Sequence, residues 1–168
     1  YTVAVFIGEA IQKVPDWLGL FLVPKVSAGQ DEDGSLTRRL LFISGGFVVA
    51  VAMSLGAVTL VGFNYLEVFL GSDYHGIELV VLALMPKAGL HCLIAVYGAR
   101  LAGRAYTLYH PLAGIVAFVV LVIVDTMFFR FLGISAAIIG ITTAYAVAAL
   151  VLAIGARRYA TRTLRSSA

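Results

Sequence analysis

The chain has 168 residues, of which 61% are hydrophobic and 12% charged, and a formal net charge of +3. Ordinary soluble domains carry about 45–50% apolar and about 25% charged residues, so a soluble fold would need several wholly apolar core helices here. A nucleic-acid footprint is excluded too, because most basic residues flank apolar segments, where anionic headgroups attract them.

The first segment runs from Thr2 to Val23. A secretory signal is ruled out by Glu9, Lys13 and Asp16 in the middle of residues 1–24. Those three positions, with Gln12, share one helical face, and Pro15 is expected to bend the helix in mid-segment. Two arrangements fit: a helix lying on the membrane surface, or a span whose polar face looks into a protein interior or an aqueous cavity. Parity favours the span, because one crossing between Tyr1 and Pro24 puts the amino end outside. The chain opens on Tyr1 rather than methionine, which points to a fragment.

A polar connector from Pro24 to Arg39 follows, read as a cytoplasmic loop or short surface helix. Leu40 to Leu66 is then 27 residues without a charge, against about 20 needed to cross the hydrocarbon core. Asn64, near its outer end, reads as glue between helices. The third span, Ile77 to Gly98, is interrupted by Glu78 and Lys87, with Pro86 expected to break or bend it. Leu108 to Phe129 carries Asp125, and Phe131 to Ala156 is again uncharged. The tight bend at Phe131–Leu132–Gly133 predicts that the last two spans are antiparallel neighbours. The fold class is therefore all-α: a polytopic transmembrane helical bundle of about five spans, near residues 2–23, 40–66, 77–98, 108–129 and 131–156.

Basic residues alternate along the connectors. Lys25, Arg38 and Arg39 precede the second span, and none lies between Phe69 and Gly76. Arg100 and Arg104 follow the third span, Arg130 stands alone, and Arg157, Arg158, Arg162 and Arg165 fill the tail. The positive-inside rule then puts Arg38, Arg104, Arg162 and the carboxyl end in the cytoplasm, with Ser72 outside. Asp31, Glu32 and Asp33 do not enter that count. Tyr97, Tyr106, Tyr109 and His110 suit the cytoplasmic headgroup belt.

Charges at membrane depth cost about 2.5–3.5 kcal/mol each and call for an explanation. Glu9 and Lys13 are spaced as an i,i+4 pair, read either as an internal pair or as a charged wall of a cavity. Lys87 and His91 repeat that spacing and read as cavity lining, because a buried lysine needs an anion, carbonyls or water. Asp125 reads as a structural partner of Arg130. Ala136, Gly140, Ala144 and Ala148 recur every four residues, a small-residue ridge suited to close helix packing. His75, His91, His110 and the single Cys92 lack metal-site spacing, and one cysteine makes no disulfide framework. No phosphate-binding loop, serine elbow or dinucleotide fingerprint occurs, so neither catalytic residues nor a cofactor is expected.

Three runs together carry a family resemblance. Phe129–Arg130–Phe131–Leu132–Gly133–Ile134–Ser135–Ala136–Ala137–Ile138, preceded by Asp125, resembles the late segment of polysaccharide-biosynthesis flippases. Ser135, Asp125 and Phe129 depart from the family's usual glycine, asparagine and proline. Phe69–Leu70–Gly71–Ser72–Asp73–Tyr74 is similar to the turn after the preceding long span, and Leu22–Val23–Pro24–Lys25–Val26 to the end of an earlier one. The resemblance is to the multidrug/oligosaccharidyl-lipid/polysaccharide exporter superfamily, whose members have 12 or 14 spans in two bundles around a central cavity. It implies that this chain is most of a carboxyl-terminal bundle, with the amino-terminal bundle of the same protein as its partner.

The implied function is transport of a polyprenyl-pyrophosphate-linked glycan across the cytoplasmic membrane by alternating access, without covalent chemistry. Lys13, Lys87 and His91 would offer charge or hydrogen bonds to the substrate. Glu9, Asp16 and Asp125 are the groups able to titrate if an ion gradient drives the cycle. A small-molecule or drug exporter of the same superfamily, a membrane scaffold subunit and a membrane-bound glycan ligase or transferase are the other readings.

Overall fold

The computed structural model describes residues 2–31, 33–61, 65–71 and 76–166. Six helices and no strand occur among them: α1 (Thr2–Ser27), α2 (Ser35–Leu60), α3 (Tyr65–Leu70), α4 (Ile77–Gly103), α5 (Tyr109–Leu132) and α6 (Ile134–Ser166). The described residues thus form an all-α bundle. By length and composition α2, α4, α5 and most of α6 are fit to cross a membrane. Large apolar side chains such as Phe42, Met53, Phe118 and Phe131 lie on its outer surface, where lipid is the solvent that accepts them. This is a multi-pass membrane protein. α1 equals the others in length, but Glu9, Lys13 and Asp16 keep it out of that apolar class.

α4 stands at the centre, with α1, α2 and α6 around it, and α5 packs on the far side of α6. Neighbouring pairs set the directions. Ala4 clusters with Val81, Asp16 meets His91, and Val26 meets Gly103, so α1 and α4 run parallel along their whole length. α2 is antiparallel to α4: Leu40 clusters with Val96 and Ala99, Val48 with Ala88 and Cys92. α6 is parallel to α4, since Ile138 packs near Val81 and Leu152 near Leu101. α5 returns antiparallel along α6, pairing Asp125 with Gly140 and Tyr109 with Gly155. The carboxyl ends of α1, α4 and α6 therefore gather at one end of the bundle, with Lys25, Arg38, Arg39, Arg100, Arg104, Arg157 and Arg158. Arg130 lies at the other.

Several boundaries differ from expectation for identifiable reasons. α1, with Pro15 inside it, does not end at Val23 but continues through Pro24 to Ser27, whose hydroxyl donates to the Val23 and Pro24 carbonyls. α4 runs unbroken through Pro86. Packing along a central helix over seven turns outweighs the single hydrogen bond that each proline removes. The second span begins five residues before Leu40 and ends six before Leu66.

Two aspartates organise that early start. The cap residue Gly34 offers no side-chain acceptor. Asp33 Oδ1 accepts the Ser35 backbone N–H at 3.0 Å, and Asp31 Oδ1 accepts the Thr37 N–H at 3.1 Å. Orphan amides of the first turn are thereby satisfied. At the other end of the bundle, Gly133 closes the α5–α6 turn with φ 55° and ψ −130°, a conformation that side chains with a Cβ avoid. The expected tight connection between antiparallel neighbours is this one residue. Glu32, Asn64, Ser72, Tyr74 and His75 lie outside the described residues, and with them the expected roles of Asn64 and Ser72.

Candidate functional site: a polar groove at mid-height

The face of α1 that carries Glu9, Gln12, Lys13 and Asp16 borders a groove floored by α4 and flanked on its far side by α6. Gln12 is buried against the bundle, whereas Glu9 and Lys13 are exposed, Glu9 toward the open groove. The parallel register brings Asp16 to His91, and their contact is a hydrogen bond of 2.6 Å between Oδ1 and Nε2. One turn earlier on α4 lies Lys87, only 7% exposed. Its ammonium sits 5.2 Å from the centre of the Tyr145 ring on α6, within cation–π range. The His91 and Tyr145 rings stand 5.9 Å apart, tilted by 42°.

The electrostatics differ from the simplest expectation in two places. Glu9 and Lys13 make no ion pair within 4 Å; Glu9 acts instead on Lys87 across the groove. Burial makes Lys87 the more demanding cation, since charge interactions strengthen where water is displaced. Asp125 does not pair with Arg130 either. Five residues apart on a helix, they leave it about 140° apart. Asp125 points into the α5–α6 seam beside Gly140, and its Oδ1 is buried without a hydrogen-bond partner. It takes no part in the groove.

The other expected residues fall as follows. Ala136, Gly140, Ala144 and Ala148 are all buried, and Gly140 approaches so closely that a Cβ there would fall on the Asp125 carboxylate. The structure brings Glu9, Asp16, Lys87 and His91 together, leaves Lys13 on the outer side of α1, and sets Asp125 apart. Tyr145 and His110 join the site only through tertiary packing. A phenolic hydroxyl in the middle of an uncharged span was the available signal for Tyr145. For His110, only its place opposite Gly98, where a Cβ would come within 2.9 Å of the imidazole, reveals the role.

Two cavities meet the groove. A cleft of about 500 Å³ extends from Asp16 toward the basic end, between Gly19 and Leu20 of α1, Ala95 and Gly98 of α4, and Tyr106. A smaller one of about 240 Å³ lies among His91, Tyr145, Ala113 and Leu152. His110 lines both, and the Asp16–His91 bond stands where they approach each other. Accepting from Nε2–H leaves Nδ1 as the unpartnered ring nitrogen, and that atom is buried. The arrangement provides a cation, a carboxylate–imidazole pair and an aromatic face at mid-height, beside an apolar cleft.

No family model, curated protein or solved structure matches the chain.

Proposed function

We propose that the chain forms one bundle of a transporter that moves a lipid-linked oligosaccharide or polysaccharide precursor across the cytoplasmic membrane by alternating access. The observation that carries this reading is the position of Glu9 and Lys13: exposed, yet level with the middle of α4. Against lipid each charge would cost about 2.5–3.5 kcal/mol, so water, protein or a polar substrate must cover that face. A polar groove beside an apolar cleft suits a molecule with a charged head and a hydrocarbon tail. Lys87 and His91 would meet the head, while Leu20, Ala95 and Gly98 offer apolar walls. The basic end of the bundle would face the cytoplasm, carboxyl terminus included.

The test is translocation by Lys87→Ala in reconstituted vesicles, normalised to folded protein. Loss of transport at unchanged abundance is expected, with partial recovery in Lys87→Arg, which retains charge on a differently shaped head. Full transport by Lys87→Ala would remove the groove from the path. A second reading, export of a drug-sized amphipathic molecule, is favoured by the cleft's volume of about 500 Å³, within the range of small-molecule sites. Dye efflux without glycan translocation would select it. For orientation, single cysteines at positions 38 and 104 in a Cys92-substituted protein should react only from the cytoplasmic side.

A further inference from the structure

A second site, independent of the transport reading, lies at the basic end. The end of α1 and the start of α2 border an open pocket of about 370 Å³ lined by Lys25, Gln30, Ser35, Leu36 and Arg39. We propose that this pocket binds the phosphate group of an anionic membrane lipid.

Three observations carry the assignment. The first is unneutralised charge. Neither Lys25 nor Arg39 has a carboxylate within 4 Å among the described residues. Of the described acids in the connector, Asp31 is taken up by Thr37 and Arg100, and Asp33 Oδ1 is occupied by the Ser35 N–H and hydroxyl, at 3.0 and 2.8 Å. Arg38 is the cation that acts on Asp33. Among the described residues these two cations are thus open to a ligand: an arginine fork matched to phosphate oxygens, and a lysine point charge. Ser35 and Leu36 belong to the first turn of α2, whose Ser35 and Thr37 amides are already taken by Asp33 and Asp31, so the two cations supply the attraction.

The second observation is that the pocket is held in shape. Asp31, next to Gln30, is fully buried, and both its Oδ atoms bind Thr37 of α2. Arg100 Nε lies 3.6 Å from its Oδ2, and Arg104 donates to its backbone carbonyl at 3.1 Å. The Gln30 N–H closes back onto the Lys25 carbonyl at 2.9 Å. The connector is thus clasped to the end of α4, which fixes the backbone that borders the pocket.

The third observation selects a lipid over free phosphate. The Lys25 ammonium rests 4.5 Å above the Phe21 ring, so the charge sits on top of an apolar, exposed side chain. Phe42, one turn below Arg39 on α2, is 85% exposed. Acyl chains descending from a headgroup in the pocket would lie along these two rings. An inorganic phosphate makes no use of them.

The experiment uses the full chain in neutral detergent, with native mass spectrometry reading retained lipid during titration with phosphatidylglycerol or phosphatidylcholine. One phosphatidylglycerol should be retained selectively. Lys25→Gln/Arg39→Gln should weaken its binding about thirtyfold and Lys25→Gln alone about fivefold, from the usual contribution of a basic residue near an anionic surface. Lys25→Arg should retain most of the affinity, and Arg158→Gln, on the same end but outside the pocket, should leave it unchanged. Melting in lipid-free detergent separates lost binding from lost folding; if the double variant melts early, the single variant decides. Equal retention of phosphatidylcholine, or an equal loss in Arg158→Gln, would overturn a discrete site. Displacement of the lipid by equimolar inorganic phosphate would overturn the lipid assignment.

Discussion

Helices α1 and α5 are both flanking helices with one principal partner each, α4 for α1 and α6 for α5, and they use opposite chemistry to hold it. α1 carries charges at mid-height and still packs along the whole of α4, through Ala4 at one end and Leu22 and Val26 at the other. α5 is uncharged from Pro111 to Val124, yet its apolar side chains mostly face outward, Ile115 and Phe118 among them. Its seam with α6 relies on small residues that let the backbones approach. Apolar character therefore does not measure packing in this molecule. In lipid an apolar surface gains little by meeting another, so close fit and polar contacts hold the helices together.

The largest effect should come from the clasp that ties the α1–α2 connector to α4. Asp31→Ala strands the Thr37 amide and hydroxyl and the Arg100 guanidinium, and should destabilise the protein by about 3 kcal/mol. Asp31→Asn keeps an acceptor for Thr37 and should cost clearly less. Thermal or denaturant unfolding in a fixed detergent measures both. Equal losses for the two variants would show that charge, rather than hydrogen bonding, holds the clasp.

The α5–α6 seam comes next. Gly140→Leu must displace the Asp125 carboxylate and Leu121 and should cost about 1–3 kcal/mol. Leu150→Ala, at a position 60% exposed, should change stability little. Unchanged melting of Gly140→Leu would show that the seam tolerates separation and that the small-residue ridge does not hold α5.

A subtler probe of the α1–α4 seam is Gly103→Ala. The added methyl would lie 2.8 Å from Val26 Cβ and 2.9 Å from the Val23 carbonyl oxygen, and backbone cannot swing aside. A loss of about 1 kcal/mol is expected, with weaker protection of α1 amides from hydrogen exchange. If α1 amides exchange as in the parent, its hold on α4 lies elsewhere, in the Asp16–His91 contact.

How much of this was legible beforehand follows from which interactions are local. The shared face of positions 9, 12, 13 and 16, the spacing of Lys87 and His91, and the ridge from Ala136 to Ala148 are periodic along one helix, so periodicity reveals them. Asp16 and His91 stand 75 residues apart in sequence, and only the parallel register of α1 on α4 brings them together. No local rule sets that register, because charge alternation assigns directions but not neighbours. Tyr145 entered the groove for the same reason. Asp31 and Asp33 carry no weight in a topology count, yet they build the start of α2 and move it five residues ahead of the apolar run. The expected Glu9–Lys13 and Asp125–Arg130 pairs show the converse: closeness in sequence proposes partners that tertiary packing does not use.

The smallest effect should appear at the start of α2, and it sharpens the contrast with α5, whose first turn has no side-chain cap. The Ser35 backbone N–H, then its hydroxyl, hold the Asp33 carboxyl below its ordinary value, with Arg38 adding a favourable charge. A depressed value in the folded protein means that the ionised form is bound more tightly there. The stabilisation is therefore complete above the unfolded carboxyl's ordinary pKa of about 3.9 and is lost as pH falls through the lower folded value. Asp33→Ala should melt slightly below the parent at neutral pH, and the two should converge as pH drops below about 4. Asp33→Asn, which keeps an acceptor for the Ser35 amide, should lie between them and hold its offset from Asp33→Ala across the same range. A parent–Ala gap that stays constant through the acid range would mean that the carboxyl caps α2 by shape alone, and that its charge contributes nothing to the helix start.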